Sequence, residues 1–207
     1  MLKSSKSFRA AFAAAALLAL AWTDGAKVAA QSKSGPQDAS PAAQYCIQSG
    51  GVVQTRYPAY NTNGSSPLRL AGSAQFCQFT SSTDQSKINI SLDTLYTQQP
   101  SLAALAYIFK PAYTPDKNKS SNPMSVYCSE IGGTDLFGGP TGNGAWVLEN
   151  NPSDIVAMCV MPDLSMIDDA GLFYHTAGFI KGVDLTKYLR FKPTGELKGG
   201  RPTPFRK

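Results

Sequence analysis

The chain predicts an α+β fold made of two tandem helix-strand-strand-helix repeats, each with a small antiparallel sheet and one disulfide, packed as a pseudo-symmetric pair. Three observations carry this expectation. The stretch "QYCIQSGG" (44–51) returns as "VYCSEIGG" (126–133). With a shift of 82 residues, Pro41 falls on Pro123, Tyr45 on Tyr127, Cys46 on Cys128, Gly50 and Gly51 on Gly132 and Gly133, and Cys77 on Cys159. Recurrence at a fixed shift is the sequence sign of a repeated structural unit. Each unit then holds two cysteines 31 residues apart, so each has a candidate bridge of its own.

The elements follow in chain order. Ser40 and Asn122 are good N-caps. Pro41 and Pro123 occupy the first helical position, where a missing N–H leaves nothing unpaired, and Gly50 and Gly132 stop each helix after about two and a half turns. Two strands come next. In the first unit they are Gly51–Tyr57 and Ser73–Phe79; in the second, Gly133–Phe137 or Ala145–Glu149, and then Asp154–Met161. Turn-rich stretches join them, "PAYNTNGSSP" and "GGPTGNG". The first unit closes with two helical pieces, "SLDTLY" and "PSLAALAYIF". The second closes with a capping box, Ser165 and Asp168, leading into "IDDAGLFYHTAGF". The aromatics of these closing helices, Tyr96, Tyr107, Phe109, Phe173, Tyr174 and Phe179, are expected in the core.

Residues 1–30 have the form of a signal peptide. Lys3, Lys6 and Arg9 precede an apolar run of thirteen residues, shorter than the ~20 needed to span a bilayer, and "VAA" offers cleavage after Ala30. Residues 31–37 read as disordered, 38–110 as the first repeat, 111–122 as a Pro-rich linker, 123–189 as the second repeat, and 190–207 as a basic disordered tail. The net charge of +5 sits at the ends: +3 in residues 1–30, +5 in 190–207 and −3 in 31–189. A body without basic excess excludes a phosphate-binding groove, so no nucleic-acid partner is expected.

A unit of about 70 residues buries a small core and is expected to need a staple. Four cysteines allow three pairings. The duplication favours pairing within repeats, Cys46 with Cys77 and Cys128 with Cys159, and an exported chain meets an oxidising compartment. No two cysteines show the C-x₂-C spacing of zinc ligands, so no metal is expected.

The second unit, "NPMSVYCSEIGG" followed by "CVMPDLSMIDDAGLFY", resembles an exported bacterial family of unknown function that carries a haemolysin label. The family's pattern runs Asn-Pro, Tyr-Cys, Gly-Gly, then Cys-x-x-Pro-Asp-Gly-Ser-x-Cys and an acidic pair. Asn122, Pro123, Tyr127, Cys128, Gly132, Gly133, Cys159, Pro162, Asp163, Ser165, Asp168 and Asp169 match it. Leu164 replaces the Gly, Ile167 the third Cys and Ala170 a Trp; a fourth Cys is missing. The first unit keeps the front motif and its second Cys. The resemblance implies export and a compact α+β domain, and supplies no reaction.

His175 is the only histidine, so any Ser-His-Asp or Cys-His mechanism must pass through it. Asp168 stands seven residues earlier on the same expected helix face, with Asp169 beside it. The plainer reading gives the two acids to the first turn and His175 to the last, as helix-end charges. No G-x-S-x-G motif accompanies them, and "GGPTGNG" lacks the Lys-Ser/Thr of a phosphate loop. No catalytic residue and no cofactor are expected; His175, Asp168 and Asp169 are the fallback functional candidates. The sequence thus points to a periplasmic or secreted, non-enzymatic binding module, its partner an envelope protein or surface component, without stable membrane insertion. A hydrolase dependent on His175 and a membrane-active, haemolysin-like protein are the alternatives.

Overall fold

The computed structural model describes residues 40–114, 122–135 and 144–193. In chain order the elements are α1 (Pro41–Gln48), β1 (Val52–Tyr60), β2 (Leu68–Arg69), β3 (Ala74–Thr80), β4 (Lys87–Ser91), α2 (Leu92–Tyr96), α3 (Leu102–Phe109), α4 (Pro123–Glu130), β5 (Thr134–Asp135), β6 (Ala145–Leu148), β7 (Asn151–Val156), β8 (Met158–Val160), β9 (Met166–Asp168) and α5 (Asp169–Thr176). A 3-10 turn, Leu185–Lys187, follows. The expected signal segment 1–30 with its expected cleavage after Ala30, residues 31–39, most of the expected linker, residues 136–143 and the tail beyond 193 lie outside the described residues.

The repeated motif has a physical cause at each position. The Ser40 side chain accepts from the Ala43 N–H at the start of α1, and Asn122 accepts from the Met124 N–H at the start of α4. Past each helix the first glycine takes the left-handed conformation, φ 83° at Gly50 and 89° at Gly132, which ends the helix without strain. The second glycine makes room for sulfur. A Cβ on Gly51 would stand 2.3 Å from Cys77 Sγ, and one on Gly133 would stand 2.4 Å from Cys159 Sγ. The bridges Cys46–Cys77 and Cys128–Cys159 tie the end of each helix to a strand of the sheet.

The strands do not form two small sheets. They form one antiparallel sheet in the order β5-β8-β9-β4-β3-β1-β6-β7, with β2 paired to β1. An isolated small sheet would leave its edge strands unpaired. Here β4 pairs with β9 through Ile90 and Ile167, and β6 pairs with β1 over Arg56–Ala59, so the first half's edges are covered by the second. Strand β4 lies beyond the two strands expected of the first half, and the alternatives Gly133–Phe137 and Ala145–Glu149 both hold strands, β5 and β6.

Only Ala157 separates β7 from β8, so one extended segment pairs with β6 along its first part and with β5 and β9 along its second. The sheet curls accordingly into a half-barrel. Alternation sends its side chains to two different cores. On the outer side Cys77, Phe79, Ile88, Ile90 and Ile167 join Leu95, Ala103, Tyr107, Leu172 and Leu185 of the helical layer. On the inner side Phe76, Trp146 and Met158 cluster with Met166 and Val156, the Phe76 and Trp146 rings meeting edge to face at 5.2 Å.

Two local expectations are corrected. Ser165 does not cap α5; Asp168 does, its carboxylate accepting from the Gly171 N–H. Ser165 serves α3 instead. Its hydroxyl accepts from Ala103 N–H at 2.9 Å while Asp163 accepts from Leu102 N–H at 2.8 Å, so a turn of the second half supplies the cap that Ser101 does not. Of the expected core aromatics Tyr107 is buried, whereas Tyr174 is exposed on the outer face of α5, between His175 and Phe173 that turn inward, and Phe179 is exposed because it follows the end of α5. Among the described residues no helix is long and apolar enough to cross a membrane.

Candidate functional site

The inner face of the half-barrel carries polar residues. On β1, Gln54 and Arg56 point inward, as do Gln78 on β3, Asn89 on β4, Asp154 on β7 and Asp168 on β9. These side chains form one hydrogen-bonded series across the sheet. Arg56, fully buried, donates to Asp154 Oδ1 at 2.8 Å, to the Asp154 carbonyl at 3.1 Å and to Gln54 Oε1 at 2.7 Å. Gln78 donates to Asn89 Oδ1 at 3.1 Å and more weakly to Gln54, and Asn89 donates in turn to Asp168 Oδ2 at 3.2 Å. The Asn89 backbone N–H also donates to Asp168. A buried cation is sustained only when paired and fully hydrogen-bonded, and the series meets that condition for Arg56.

At its open end this network forms the wall of a cleft of about 700 Å³. Gln78, Asn89, Asp168 and Asp169 lie on one side, Ser153 to Ala157 of the β7 segment on another, and Lys87, Lys181 and Asn122 contribute to the rim. The lining is therefore rich in amides, hydroxyls and charges.

Asp168 and Asp169 differ although they are neighbours. Burial raises the Asp168 carboxyl, but donors from Asn89 and Gly171 oppose that shift. Asp169 is only 2% exposed, and no described group lies within hydrogen-bond distance of either of its oxygens. Burial, with the charges of Asp135 and Asp168 added, pushes its carboxyl up to about 8, so it is protonated at neutral pH. One Asp169 oxygen and the sulfurs of Cys128 and Cys159 lie within 4.8 Å of one another. Both sulfurs are committed to their mutual bond, and a metal binds thiolates, so these three atoms are not a ligand set.

His175 does not line this cleft. It sits in the last turn of α5, 4% exposed, its ring stacked on the Tyr107 ring at 3.7 Å and 5°, with Nδ1 3.0 Å from the Tyr107 carbonyl. Burial first, then Lys110, lowers its pKa, so it is a neutral ring in the helical layer rather than a helix-end cation. The structure thus brings Asp168 and Asp169 into one site and leaves His175 outside it.

Sequence reasoning passed over Arg56, Gln54, Gln78, Asn89 and Asp154. Part of the signal was available in "KINIS", where polar residues take every second position. Such alternation is ordinarily assigned to a solvent face; here it faces the barrel interior. No family model, no curated protein and no solved structure matches the chain.

Proposed function

We propose that this is an exported, periplasmic or secreted, non-enzymatic binding module that holds the hydroxyl-rich chain of an envelope glycan in the cleft of its half-barrel. The observation that supports it best is the cleft itself, about 700 Å³, on whose wall Gln78, Asn89, Asp154 and Asp168 are held in place by the Arg56 to Asp168 network. Pre-oriented hydrogen-bonding groups are what recognition of a polar ligand requires. A hydrolase through His175 has less support, because that ring is stacked on Tyr107 and has no carboxylate partner among the hydrogen bonds it makes.

The same reading takes the two halves as a duplicated unit packed about a pseudo-two-fold. Supporting it, Cys77 pairs with Ile90 in one half and Cys159 with Ile167 in the other, and Ile90 and Ile167 then pair with each other at the junction. The motif resemblance adds export. Titration of the mature chain, residues 31–207, with envelope glycan fragments by calorimetry is the test. Saturable binding that weakens at least tenfold in Ser153→Ala with Lys181→Ala is expected. Binding that ignores those substitutions, or turnover of a hydrolase substrate abolished by His175→Ala, would overturn the proposal.

A further inference from the structure

Both bridges are buried behind a glycine, and the residue that follows each helix cap differs in kind. In the first half Ser91 caps α2 and Leu92 follows, buried in the core that holds Cys46 and Cys77. In the second half Asp168 caps α5 and Asp169 follows, beside Cys128–Cys159. Leu92 shows what packing alone asks for at this step. A carboxyl there loses its hydration and gains no hydrogen bond, a net cost that folding does not require. Both bridge sulfurs lie within 4.8 Å of one of its oxygens, and the reaction open to a disulfide beside an acid is exchange with a thiol.

We propose that Cys128–Cys159 is an exchange-active disulfide, with the Asp169 carboxyl as proton donor to its departing sulfur and a dithiol as its co-reactant. Both cysteines are buried, so the incoming thiolate reaches the bridge through a local opening of the second half; it forms a new S–S bond with one cysteine, the Cys128–Cys159 bond breaks and its electron pair leaves on the other sulfur. That sulfur takes the Asp169 proton through one water, since the carboxyl has no hydrogen-bond partner of its own, giving a neutral thiol and an Asp169 carboxylate. The second thiol of the reagent, deprotonated to solvent, then attacks the reagent's own sulfur in the mixed disulfide, and the cysteine sulfur it displaces leaves as a thiolate that takes a proton from solvent. The reagent ends as its own disulfide, oxidised by two electrons, and the bridge ends as two thiols. Asp169 recovers its proton through the cleft that it lines.

The surroundings suit a donor. Asp135 on β5, held by the Ser125 hydroxyl of α4, and Asp168 at the end of β9 both face Asp169 with negative charge, while Lys181 lies on the cleft wall near Asp168. Burial and these acids keep Asp169 protonated to about pH 8, close to the pKa of the thiol it would protonate. Cys46–Cys77 has the same burial, and among the described residues no acid joins it as Asp169 joins Cys128–Cys159, so it is the internal reference.

The experiment is reduction of the folded, fully bridged protein by dithiothreitol between pH 6 and pH 10, with alkylation and mass spectrometry reporting each bridge separately. The ratio of the two rates within one molecule cancels the thiolate concentration. We expect Cys128–Cys159 to react about a hundredfold faster at pH 7, a typical contribution of a positioned acid. The ratio should fall about tenfold per pH unit above 8, toward unity. Asp169→Asn and Asp169→Leu should bring it near unity at every pH. A ratio near one at pH 7 overturns the proposal. So does a ratio that climbs above pH 8, the sign expected if ionised Asp169 merely loosens the second half. Should both variants misfold, the wild-type pH profile decides alone.

Discussion

Each half of the molecule leaves its last strand, β4 or β9, through a capped step into a helix, and the two steps are built from different chemistry. Ser91 and Leu92 make the first, a hydroxyl cap and an apolar anchor; Asp168 and Asp169 make the second, two carboxyls in the same places. The backbone accepts both. What differs is what each half brings to the cleft: amide groups from Gln78 and Asn89 in the first, acids from Asp154, Asp168 and Asp169 in the second. The Asn89 amide and backbone N–H both reach Asp168, so the site is completed only when the sheet joins at β4 and β9.

The largest expected effect of that difference is on pH. Asp169 keeps its proton to about pH 8 in the folded chain and releases it near the ordinary aspartate value of 3.8 when unfolded. Its contribution is therefore least unfavourable below pH 4 and stability is lost as pH rises toward 8, by about 1.4 kcal/mol per unit and about 5 kcal/mol in all. In Asp169→Leu that slope disappears, while Asp168 retains its own. Denaturant midpoints of the two proteins from pH 4 to pH 8 should diverge steadily. Parallel curves would mean that the acid and the leucine are equivalent here.

Next in size is the loss of a bridge. Each closes 31 residues, and on the chain-entropy model its removal costs about 3 to 4 kcal/mol. Cys46→Ser with Cys77→Ser, and Cys128→Ser with Cys159→Ser, should destabilise by similar amounts, and because one sheet runs through both halves each variant should melt in a single calorimetric transition. Two separate transitions would break the sheet into independent lobes.

Smaller, and a test of likeness rather than difference, is the second glycine of each pair. Gly51→Ala and Gly133→Ala both drive a methyl against bridge sulfur, at 2.3 Å and 2.4 Å, and over-packing of this kind costs about 1 to 3 kcal/mol. Equal losses in urea midpoints are expected; a loss at only one position would show that one bridge can shift aside.

How far the residues alone reach is visible at particular positions. The starts of α1 and α4, their glycine stops and the pairing of the four cysteines are local properties, written in caps, prolines and spacing. Strand β4 was harder because five residues, "KINIS", run straight into the Ser91 cap with no turn between. Ser165 misleads since its spacing to Asp168 is that of a capping box, while its hydroxyl is taken by a helix 62 residues away in the chain. The candidate site was legible in its two acids and illegible in Arg56, because an arginine on an alternating strand reads as solvent-facing until the curl of the sheet is known. Single-chain patterning reports period, and closure is a property of pairing between distant segments.

The segment that serves both β6 and β9, with Ala157 at its bend, also orders events in time. A chain made from its N-terminus completes β1, β3 and β4 while residues 145–168 are still to come, so for that interval both flanks of the three-stranded core present unpaired backbone. Pairing across some 90 residues is slow relative to hairpin formation. The half-barrel therefore closes late, when one ten-residue stretch, 151–160, takes its place against strands on either side, and until then the nascent first half is the part of this molecule that needs shelter from other chains.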